Sequence, residues 1–437
     1  MHIIFKNRGY YYEMHHKAQV LYTDKSLVAS APTGSGKTVI FELALIRLLT
    51  RSNIPELRRK IVYMAPMKAL CSERYSDWNT KFGTRGINCL EITGDSELDD
   101  FSELVNANLI CTTPEKWDSV SRRWKDNKNF FQQIQLFLID EIHILNDPQR
   151  GATVEAVVSR MKTLETAQEL KNSAHIRFVA VSATIPNYKD IAEWLGTPSK
   201  PASAFNLGEE FRPVKLDRIV LGYPFKEGTS DFRFDMNLSY RLKSIIETHS
   251  HGKPSLVFCS SRKSVVQSAE ALAKDLRTNN LLNHFNAETL HVAAKSVHEH
   301  KLSELLHRGI GIHHAGLDIQ DRHTVEDLFK ASQLPVLIST STLAMGVNLP
   351  AHLVIIKSTH FYNMGMVQEY SNMQVLQMIG RAGRPQFDTS ATAVIMTKVQ
   401  LKAKYSTLVN GTQLIESRYV SSLALPSKVT LIKDESQ

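Results

Sequence analysis

The stretch Ala31–Thr38, which reads APTGSGKT, decides the fold. It follows the apolar run Ser26–Ser30 and leads into Thr38–Leu49, where apolar residues recur at the spacing of an amphipathic helix. A glycine-rich turn between a strand and a helix lets backbone N–H groups and the helix N-terminus face a phosphate. The order of strand, turn and helix therefore predicts a phosphate-binding loop on a parallel sheet.

The end of this loop carries the residues that would act on a nucleotide. Lys37 is placed to reach the β and γ phosphates, and the Thr38 hydroxyl to hold Mg²⁺. The strict form of the motif begins with glycine, where this chain has Ala31. We predict that the nucleotide is bound by Ala31, Pro32, Thr33, Gly34, Ser35, Gly36, Lys37 and Thr38.

Two acidic residues follow the apolar strand Leu136–Ile139, in the sequence DEIH. Open α/β sheets place functional residues at the carboxyl ends of their strands. Alone, two acids at a strand end also fit a solvated loop, but beside a phosphate-binding loop they favour catalysis. Asp140 is predicted to complete the Mg²⁺ shell and Glu141 to orient or deprotonate the attacking water.

A second group of charged residues lies far along the chain, in QMIGRAGRP at residues 377–385. An arginine that reaches a γ-phosphate stabilises the charge of the transition state. Paired arginines are usually surface charges, but the flanking glycines and Gln377 favour a functional pair. We therefore add Arg381 and Arg384 to Lys37, Asp140 and Glu141 as predicted catalytic residues.

Short apolar or β-branched runs alternate with helical patterns in two sets, which is typical of an α/β fold with two parallel sheets. The first set has strand candidates at Ser26–Ser30, Lys60–Met64, Asn108–Cys111, Leu136–Ile139 and Arg177–Val181. The second has Ser255–Cys259, Val336–Ser339, Leu353–Ile356 and Ala393–Met396. We predict an ATP-binding domain over residues 1–205, a proline-containing junction over 206–236, a second domain over 237–400, and the start of a following domain over 401–437.

Composition narrows the class of protein without defining it. The 52 basic and 44 acidic residues give a net charge of +8, which favours polyanionic partners such as nucleic acid. The four cysteines form no C-x-x-C pair, which argues against a zinc ribbon or a disulfide framework. No apolar run approaches the roughly 20 residues of a membrane span. A soluble, intracellular protein with no membrane partner is expected.

Further motifs lie between these groups, and in this order they resemble the motifs of superfamily 2 helicases. The resemblance is to the Ski-like branch and, within it, to the meiotic crossover DNA helicase family, over about residues 21–396. The motifs are APMKAL at Ala65–Leu70, TTPEKWD at Thr112–Asp118, DEIH at Asp140–His143, SAT at Ser182–Thr184, VFCSSRK at Val257–Lys263, HHAGL at His313–Leu317 and STLAMGVNLP at Ser341–Pro350.

The resemblance implies two tandem RecA-like domains, each a mostly parallel sheet flanked by helices, with ATP and Mg²⁺ as cofactors. It adds Gly346, Gln377, Arg381 and Arg384 to the ATP-binding residues, and it makes His143, Ser182 and Thr184 a relay between nucleotide and nucleic acid. The track for the nucleic-acid strand would comprise Pro66, Lys68, Thr113, Pro114, Ser260, His314, Thr340, Ser341 and Thr342.

The same resemblance implies a monomeric motor that moves 3′ to 5′ on single-stranded or branched DNA, in the nucleus and during meiotic recombination. An RNA helicase of the spliceosomal or RNA-surveillance type shares several of the motifs and is the nearest alternative. A non-motor scaffold that binds nucleic acid is another. The serines and threonines of the track also fit simple helix caps.

The family continues beyond the arginine motif into a winged helix and a helical ratchet domain. This chain ends soon after that motif. We expect a fragment, an isoform or an incomplete gene model, in which the ATPase and strand-tracking parts are kept and duplex unwinding by the chain alone is in doubt.

Overall fold

The computed structural model describes residues 23–32, 34–50, 59–94, 101–166, 175–183, 185–197, 199–226, 228–275, 287–341, 343, 349–363, 366–410 and 414–418. The chain forms two compact units. The first runs to Phe211 and also takes in the segment 414–418, and the second begins at Arg212.

In the described part of the first unit, seven strands form one parallel sheet in the order β3-β4-β2-β5-β6-β1-β7. They are β1 (Leu27–Ser30), β2 (Lys60–Met64), β3 (Cys89–Ile92), β4 (Leu109–Thr112), β5 (Ile134–Ile139), β6 (Arg177–Ser182) and β7 (Ser203–Asn206). The central strands are apolar runs buried along their whole length, as expected of a parallel sheet that is covered on both faces.

Helices connect these strands. They are α1 (Lys37–Leu49), α2 (Lys68–Phe82), α3 (Ser102–Asn106), α4 (Pro114–Ser121), α5 (Lys128–Phe131), α6 (Gly151–Thr166) and α7 (Tyr188–Leu195), with 3-10 turns at Gly83–Arg85, Ile142–Asn146 and Glu209–Phe211. Helix α1 packs Phe41, Ala44 and Leu45 against the sheet, where all three side chains are almost fully buried. The helix directly after the glycine-rich loop is thereby anchored to the core.

The second unit has its own parallel sheet, with six described strands in the order β10-β11-β9-β12-β15-β8. They are β8 (Lys215–Tyr223), β9 (Ser255–Cys259), β10 (Ile310–His313), β11 (Val336–Thr340), β12 (Leu353–Ile356) and β15 (Ser390–Lys398). Two further strands, β13 (His360–Asn363) and β14 (Met366–Glu369), pair as a separate antiparallel hairpin.

The helices of the second unit follow the same crossover pattern. They are α8 (Asp231–Ser239), α9 (Leu242–His249), α10 (Arg262–Asp275), α11 (Ala287–Ser296), α12 (His300–Leu306), α13 (Ile319–Lys330), α14 (Asn372–Gly380) and α15 (Lys402–Asn410), with a 3-10 turn at Val399–Leu401. Among the described helices of both units, none combines the length and the apolar character needed to cross a bilayer.

The predicted fold class, two α/β units with mostly parallel sheets, is confirmed. Every strand candidate is a strand, and Lys60–Met64, Ser255–Cys259 and Leu353–Ile356 have the observed bounds. The other bounds shift by one to three residues, and helix α1 begins at Lys37, one residue before its predicted start. Apolar periodicity therefore located the buried strands well.

The junction expected over 206–236 needs correction, because it contains strand β8. This strand pairs with β15 along nine residues, from Lys215 beside Ser390 to Tyr223 beside Lys398. As an edge strand of the sheet it is half-buried and carries Asp217 and Arg218, so its apolar run is shortened to Ile219–Leu221. The second unit accordingly starts near Arg212, well before residue 237.

Residues 401–410, expected to start a following domain, belong to the second unit instead. Helix α15 packs on β8, and its Tyr405 is fully buried. The Tyr405 hydroxyl donates to Glu369 Oε1 at 2.6 Å, which joins the helix to the β13–β14 hairpin. This helix therefore adds Tyr405, Leu408 and Val409 to the core of the unit.

The segment 414–418 lies on the first unit. The Asn187 amide donates to the carbonyl of Ile415 at 2.8 Å and accepts from its N–H at 3.0 Å. Farther along, the Arg418 N–H donates to Glu155 Oε1 at 2.7 Å, and its guanidinium donates to Asn146 Oδ1 at 2.9 Å. The segment is thus held mainly through its backbone, beside the turn that follows the DEIH sequence.

Candidate nucleotide and nucleic-acid site

All strands of the first sheet are parallel, so their carboxyl ends share one edge. Thr113 follows β4, Ala65 follows β2, Asp140 follows β5, Ala183 follows β6 and Ala31 follows β1. In this sheet the five strands are neighbours in that order, about 4.8 Å apart. The edge therefore brings the phosphate-loop sequence, the acidic pair and the first predicted track residues side by side.

The loop after β1 has the backbone geometry of a phosphate cradle. Gly34 and Gly36 have φ of 85° and 84°, a left-handed conformation that glycine adopts without steric cost. The Ala31 N–H donates to the carbonyl of Ser182, which fixes the start of the loop to β6. Thr33 lies outside the described residues, while Pro32, Ser35 and Thr38 are in the loop or the first turn of α1 as predicted.

Lys37 and the two acids meet at this edge. Lys37 Nζ lies 3.5 Å from Glu141 Oε1, and both side chains are mostly buried. Asp140 Oδ1 accepts the backbone N–H of Glu141 at 2.9 Å. Glu141 has φ of 50° and ψ of 50°, a left-handed conformation that is uncommon for residues other than glycine and often marks a functional position. The turn aims the Glu141 side chain back at the loop.

The two carboxyl groups have opposite pKa shifts. Burial and the neighbouring charge of Glu141 raise the pKa of Asp140 to about 6. Burial alone would raise the pKa of Glu141 as well, but Lys37 and His143 outweigh it, and the pKa is lowered. Glu141 is therefore a carboxylate at neutral pH and can accept a proton, whereas Asp140 is held in its charged form less firmly.

The predicted relay residues His143 and Ser182 are in contact. His143 Nδ1 lies 3.1 Å from Ser182 Oγ and 3.2 Å from Glu141 Oε2. Burial lowers the pKa of His143, so its ring is neutral at pH 7. One imidazole thus contacts both the acidic pair and the end of β6. Thr184 lies outside the described residues.

Two residues of the site were missed from the sequence. Tyr63, in the otherwise apolar strand β2, donates its hydroxyl to Asp140 Oδ2 at 2.7 Å. Ser30, the last residue of β1, accepts the backbone N–H of Ile185 at 2.9 Å and so links the loop strand to the SAT motif. In both cases the available signal was a hydroxyl in a buried strand, β2 beside the DEIH strand for Tyr63 and β1 directly before the glycine-rich loop for Ser30.

The oxygen ligands and the loop backbone at this edge of the sheet suit a nucleotide with Mg²⁺. Mg²⁺ prefers hard oxygen ligands and few of them from the protein, and the Thr38 hydroxyl and the Asp140 carboxylate are of that kind. The positive φ angles of Gly34 and Gly36 leave a backbone concavity that suits phosphate oxygens. The described residues contain no group of three or more histidine, cysteine or acidic side chains arranged to hold a metal by themselves.

The track residues predicted in the first unit lie on two neighbouring strands. Pro66 is buried just after β2, and Lys68 is exposed as the first residue of α2. Thr113 is the N-cap residue of α4 and Pro114 its first residue, yet the Thr113 hydroxyl makes no capping bond to that helix. Simple helix capping therefore does not account for this threonine.

In the second unit, three predicted track residues lie at the carboxyl edge on neighbouring strands. Strand β11 lies between β10 and β9, with Ser339 beside His313 and Thr340 beside Cys259. His314, Thr340 and Ser260 therefore follow one another across three strands. Ser341 comes next after Thr340, and Thr342 lies outside the described residues.

The side chain of Ser260 does not face this edge. Its hydroxyl is buried and donates to Asp235 Oδ1 at 3.1 Å. The same carboxylate binds the Ser264 hydroxyl and the fully buried Lys357 ammonium, at 2.6 and 2.8 Å. A hydroxyl already donating to a buried carboxylate cannot donate to a phosphate as well. The predicted track contact through the Ser260 hydroxyl is thus corrected: this side chain supports the end of β9.

His314 is the predicted track residue with a ring nitrogen near the surface. Its Nδ1 accepts the Gly316 N–H at 3.2 Å. Partial burial and the nearby charge of Arg262 lower the pKa of His314, so the ring is neutral at pH 7. Because Nδ1 is an acceptor, Nε2 carries the proton and is the atom that can donate to a phosphate oxygen.

Arg384 is buried inside the second unit. Its Nε and Nη2 donate to Asp388 at 2.9 and 3.2 Å, and Nη1 donates to Ser332 Oγ at 2.9 Å. Lys253 and His352 also contact the Asp388 carboxylate. Burial alone would raise the pKa of Asp388, but these partners outweigh it and hold the pKa well below its usual range.

The expectation that both arginines are available to a nucleotide is therefore corrected for Arg384, whose guanidinium nitrogens are all engaged within the unit. Arg381 caps the end of α14, and Gln377 lies half-buried on the same helix. Gly346 lies outside the described residues.

A glycine-rich loop after one central strand, an acidic pair after another and a second parallel α/β unit are the arrangement of a helicase with a phosphate-binding loop. Residues 15–191 match the DEAD/DEAH box helicase family, and residues 238–386 match the helicase conserved C-terminal domain. The chain belongs to the DEAD/DEAH box helicases. Its sequence is similar to those of proteins named as the DNA helicases HFM1 and MER3.

The relatives support this grouping over most of the chain. The probable ATP-dependent DNA helicase HFM1 of Xenopus tropicalis is 53% identical over 420 residues, covering 95% of this chain and 31% of the relative. The ATP-dependent DNA helicase MER3 of Saccharomyces cerevisiae is 42% identical, over 90% and 32%. Human activating signal cointegrator 1 complex subunit 3 is 41% identical, over 86% and 17%. The chain spans about a third of the HFM1 and MER3 relatives.

Proposed function

We propose that the chain is an ATP-driven DNA motor that hydrolyses Mg-ATP and moves 3′ to 5′ on single-stranded DNA. The observation that carries the proposal is the shared edge of the first sheet. The phosphate loop, the acidic pair and the His143–Ser182 contact lie there beside Pro66 and Thr113. A nucleotide and a strand bound at one edge would be coupled through adjacent strand ends.

In this mechanism Lys37 binds the β and γ phosphates while the loop amides hold the rest of the chain of phosphates. The Thr38 hydroxyl and the Asp140 carboxylate would hold Mg²⁺, which would supply positive charge to neutralise the phosphates. Glu141 takes the proton of the attacking water, a role for which its lowered pKa keeps it ionised. His143 contacts both Glu141 and Ser182, so protonation of Glu141 alters the contact of His143 with Ser182.

Arginine from the second unit supplies the last charge at the γ-phosphate. Arg381 is the candidate we favour for direct contact, since Arg384 is committed to Asp388 and Ser332. On the DNA side, Lys68, Thr113, the His314 ring and the backbone after β9 and β11 grip phosphates without reading bases. The names of the relatives support DNA as the substrate, and a monomer acting in the nucleus during meiotic recombination completes the proposal.

The test is the steady-state ATPase rate with single-stranded DNA, with RNA and with neither, measured for the wild type and for Glu141→Gln. We expect DNA to stimulate more than RNA, and Glu141→Gln to lower kcat about 10²- to 10⁴-fold, the usual contribution of a general base. Glu304→Gln, an exposed acid in the second unit, is the matched control and should leave kcat unchanged.

Two outcomes contradict the proposal: no stimulation by either polymer, or a Glu141→Gln rate equal to that of the wild type. Stronger stimulation of the ATPase rate by RNA than by DNA would indicate that RNA is the substrate. Polarity is measured separately by displacement of streptavidin from biotinylated oligonucleotides. A 3′ to 5′ motor displaces it from the 5′ end, and displacement from the 3′ end alone would reverse the polarity.

A further inference from the structure

Tyr63 is buried at the point where two parts of the nucleotide site meet. Its side chain has no solvent exposure, and its hydroxyl donates to Asp140 Oδ2 at 2.7 Å. The other carboxylate oxygen, Oδ1, accepts the Glu141 N–H at 2.9 Å. Both oxygens of Asp140 are thus held by one donor each, which fixes the plane of the carboxylate.

The ring of Tyr63 is fixed in turn by two aromatic neighbours. Phe41 contacts it edge-on with the ring centroids 5.6 Å apart, and Trp78 does so at 5.0 Å. Phe41 lies on helix α1, one turn after Lys37 and close to Thr38. Tyr63 therefore connects the helix that carries one predicted Mg²⁺ ligand to the carboxylate that is the other.

We propose that Tyr63 is a positioning residue that sets the orientation of Asp140 relative to helix α1, and through it the affinity of the site for Mg²⁺-nucleotide. The inference rests on the proposed ATPase function. Metal ligands need partners that fix their orientation, and loss of such a partner typically lowers metal affinity 10- to 100-fold. The hydrogen bond from the Tyr63 hydroxyl to Asp140 Oδ2 is an interaction of this kind.

The test is the binding of a fluorescent ADP analogue, followed by anisotropy as Mg²⁺ is titrated and repeated with EDTA in place of Mg²⁺. In Tyr63→Phe we expect the Mg²⁺ concentration for half-maximal binding to rise about tenfold, while the affinity in EDTA is unchanged. The matched control is Tyr405→Phe, which removes a buried hydroxyl bonded to a carboxylate in the second unit and should leave both values unchanged.

A second variant guards against a folding defect in Tyr63→Phe. Phe41→Leu keeps the hydroxyl but removes one of the rings that fix it, and it should raise the Mg²⁺ requirement less than Tyr63→Phe does. An unchanged Mg²⁺ requirement in either folded variant, or an equal loss of affinity in Mg²⁺ and EDTA, overturns the inference. Absence of Mg²⁺-dependent binding in the wild type would instead contradict the proposed function.

Discussion

The charged groups of the first unit's acidic pair and those around Arg384 are bonded very differently. At the first-unit edge, Lys37 meets Glu141 at 3.5 Å, a long contact. In the second unit, the side chain of Asp388 is fully buried and binds Arg384 through two short hydrogen bonds, with Lys253 and His352 beside it. A ligand can replace a weak internal contact at little cost in free energy. A buried carboxylate whose oxygens are already hydrogen-bonded to several cations instead stabilises the fold. Lys37 and Glu141 can therefore exchange their mutual contact for contacts with a ligand, whereas Arg384 and Asp388 cannot do so without loss of stability.

The largest expected effect that tests this contrast is on the Arg384 cluster. Asp388→Asn should lower the free energy of unfolding of the second unit by about 3 kcal/mol, because breaking a buried ion pair leaves the remaining charge uncompensated. Far-UV circular dichroism during urea unfolding measures it. All four tryptophans lie in the first unit, so their fluorescence transition should not move.

Asp327→Asn provides the control for this prediction. Asp327 is an exposed acid of the second unit, 3.5 Å from Lys330. Its loss should change the unfolding transition only within experimental error, since exposed pairs contribute little. If Asp388→Asn were as mild as Asp327→Asn, Arg384 would not be structural, and a direct role at the nucleotide would regain support.

In the first unit, replacement of a buried acid should raise the free energy of unfolding instead of lowering it. Asp140 has a pKa raised to about 6 by burial and Glu141, so its charged form destabilises the unliganded fold. Asp140→Asn should therefore raise the free energy of unfolding by about 1 to 2 kcal/mol at pH 7, less than the full shift because the amide cannot accept every bond of the carboxylate. Tryptophan fluorescence during urea unfolding measures it, and destabilisation would contradict the prediction.

This stabilisation should also depend on pH with a definite sign. Because the pKa of Asp140 is raised on folding, the contribution of this residue to the stability of the unliganded wild type rises as the pH falls from about 6 towards 4, and is lost as the pH rises through that range. The variant lacks this contribution, so the difference between the two proteins should shrink on acidification. A difference that stays constant from pH 4 to pH 7 would contradict the assigned pKa.

Acid should weaken Mg²⁺ binding at the same carboxylate. Mg²⁺ binds the ionised group, so its apparent affinity should fall by at most about tenfold for each pH unit below about 6. Mg²⁺-dependent binding of a fluorescent ADP analogue at pH 5, 6, 7 and 8 measures this effect. A flat profile across pH 6 would mean that Asp140 does not hold the metal.

The smallest effect is expected at Ser260. The Ser260 hydroxyl donates to Asp235, so its effect on the DNA strand is indirect and small in free energy. Ser260→Ala should therefore change the half-saturating concentration of single-stranded DNA less than twofold. His314→Ala removes a ring with a free donor direction at the same edge and should weaken binding more. Fluorescence anisotropy of labelled oligonucleotides distinguishes them. A larger loss at Ser260 would show that its side chain turns towards the strand.

The sequence predicted the parts of this molecule whose pattern is local. The loop Ala31–Thr38 and the acidic pair Asp140 and Glu141 are read within a few residues, and the central strands are continuous apolar runs. Helix α1 and both parallel sheets followed from the same patterns.

The parts that failed depend on distant partners. Tyr63 meets an acid 77 positions away, and Ser260 meets Asp235 across 25, so neither bond leaves a local pattern. Strand β10 was missed because Gly311 and His313 interrupt its apolar run. Yet a Cβ at Gly311 would come within 2.6 Å of Leu334, so the glycine is what lets the strand pack there.

The pair of hydrogen bonds between the Asn187 amide and residue 415 has a consequence for sequence divergence. Both bonds go to the main chain of residue 415, so any residue except proline, which has no N–H, can make them. The contact therefore places no demand of its own on the side chain at position 415. Asn187 is more constrained, because its side-chain amide supplies both the donor and the acceptor, and aspartate in its place would have no donor for the carbonyl of residue 415 and would repel it.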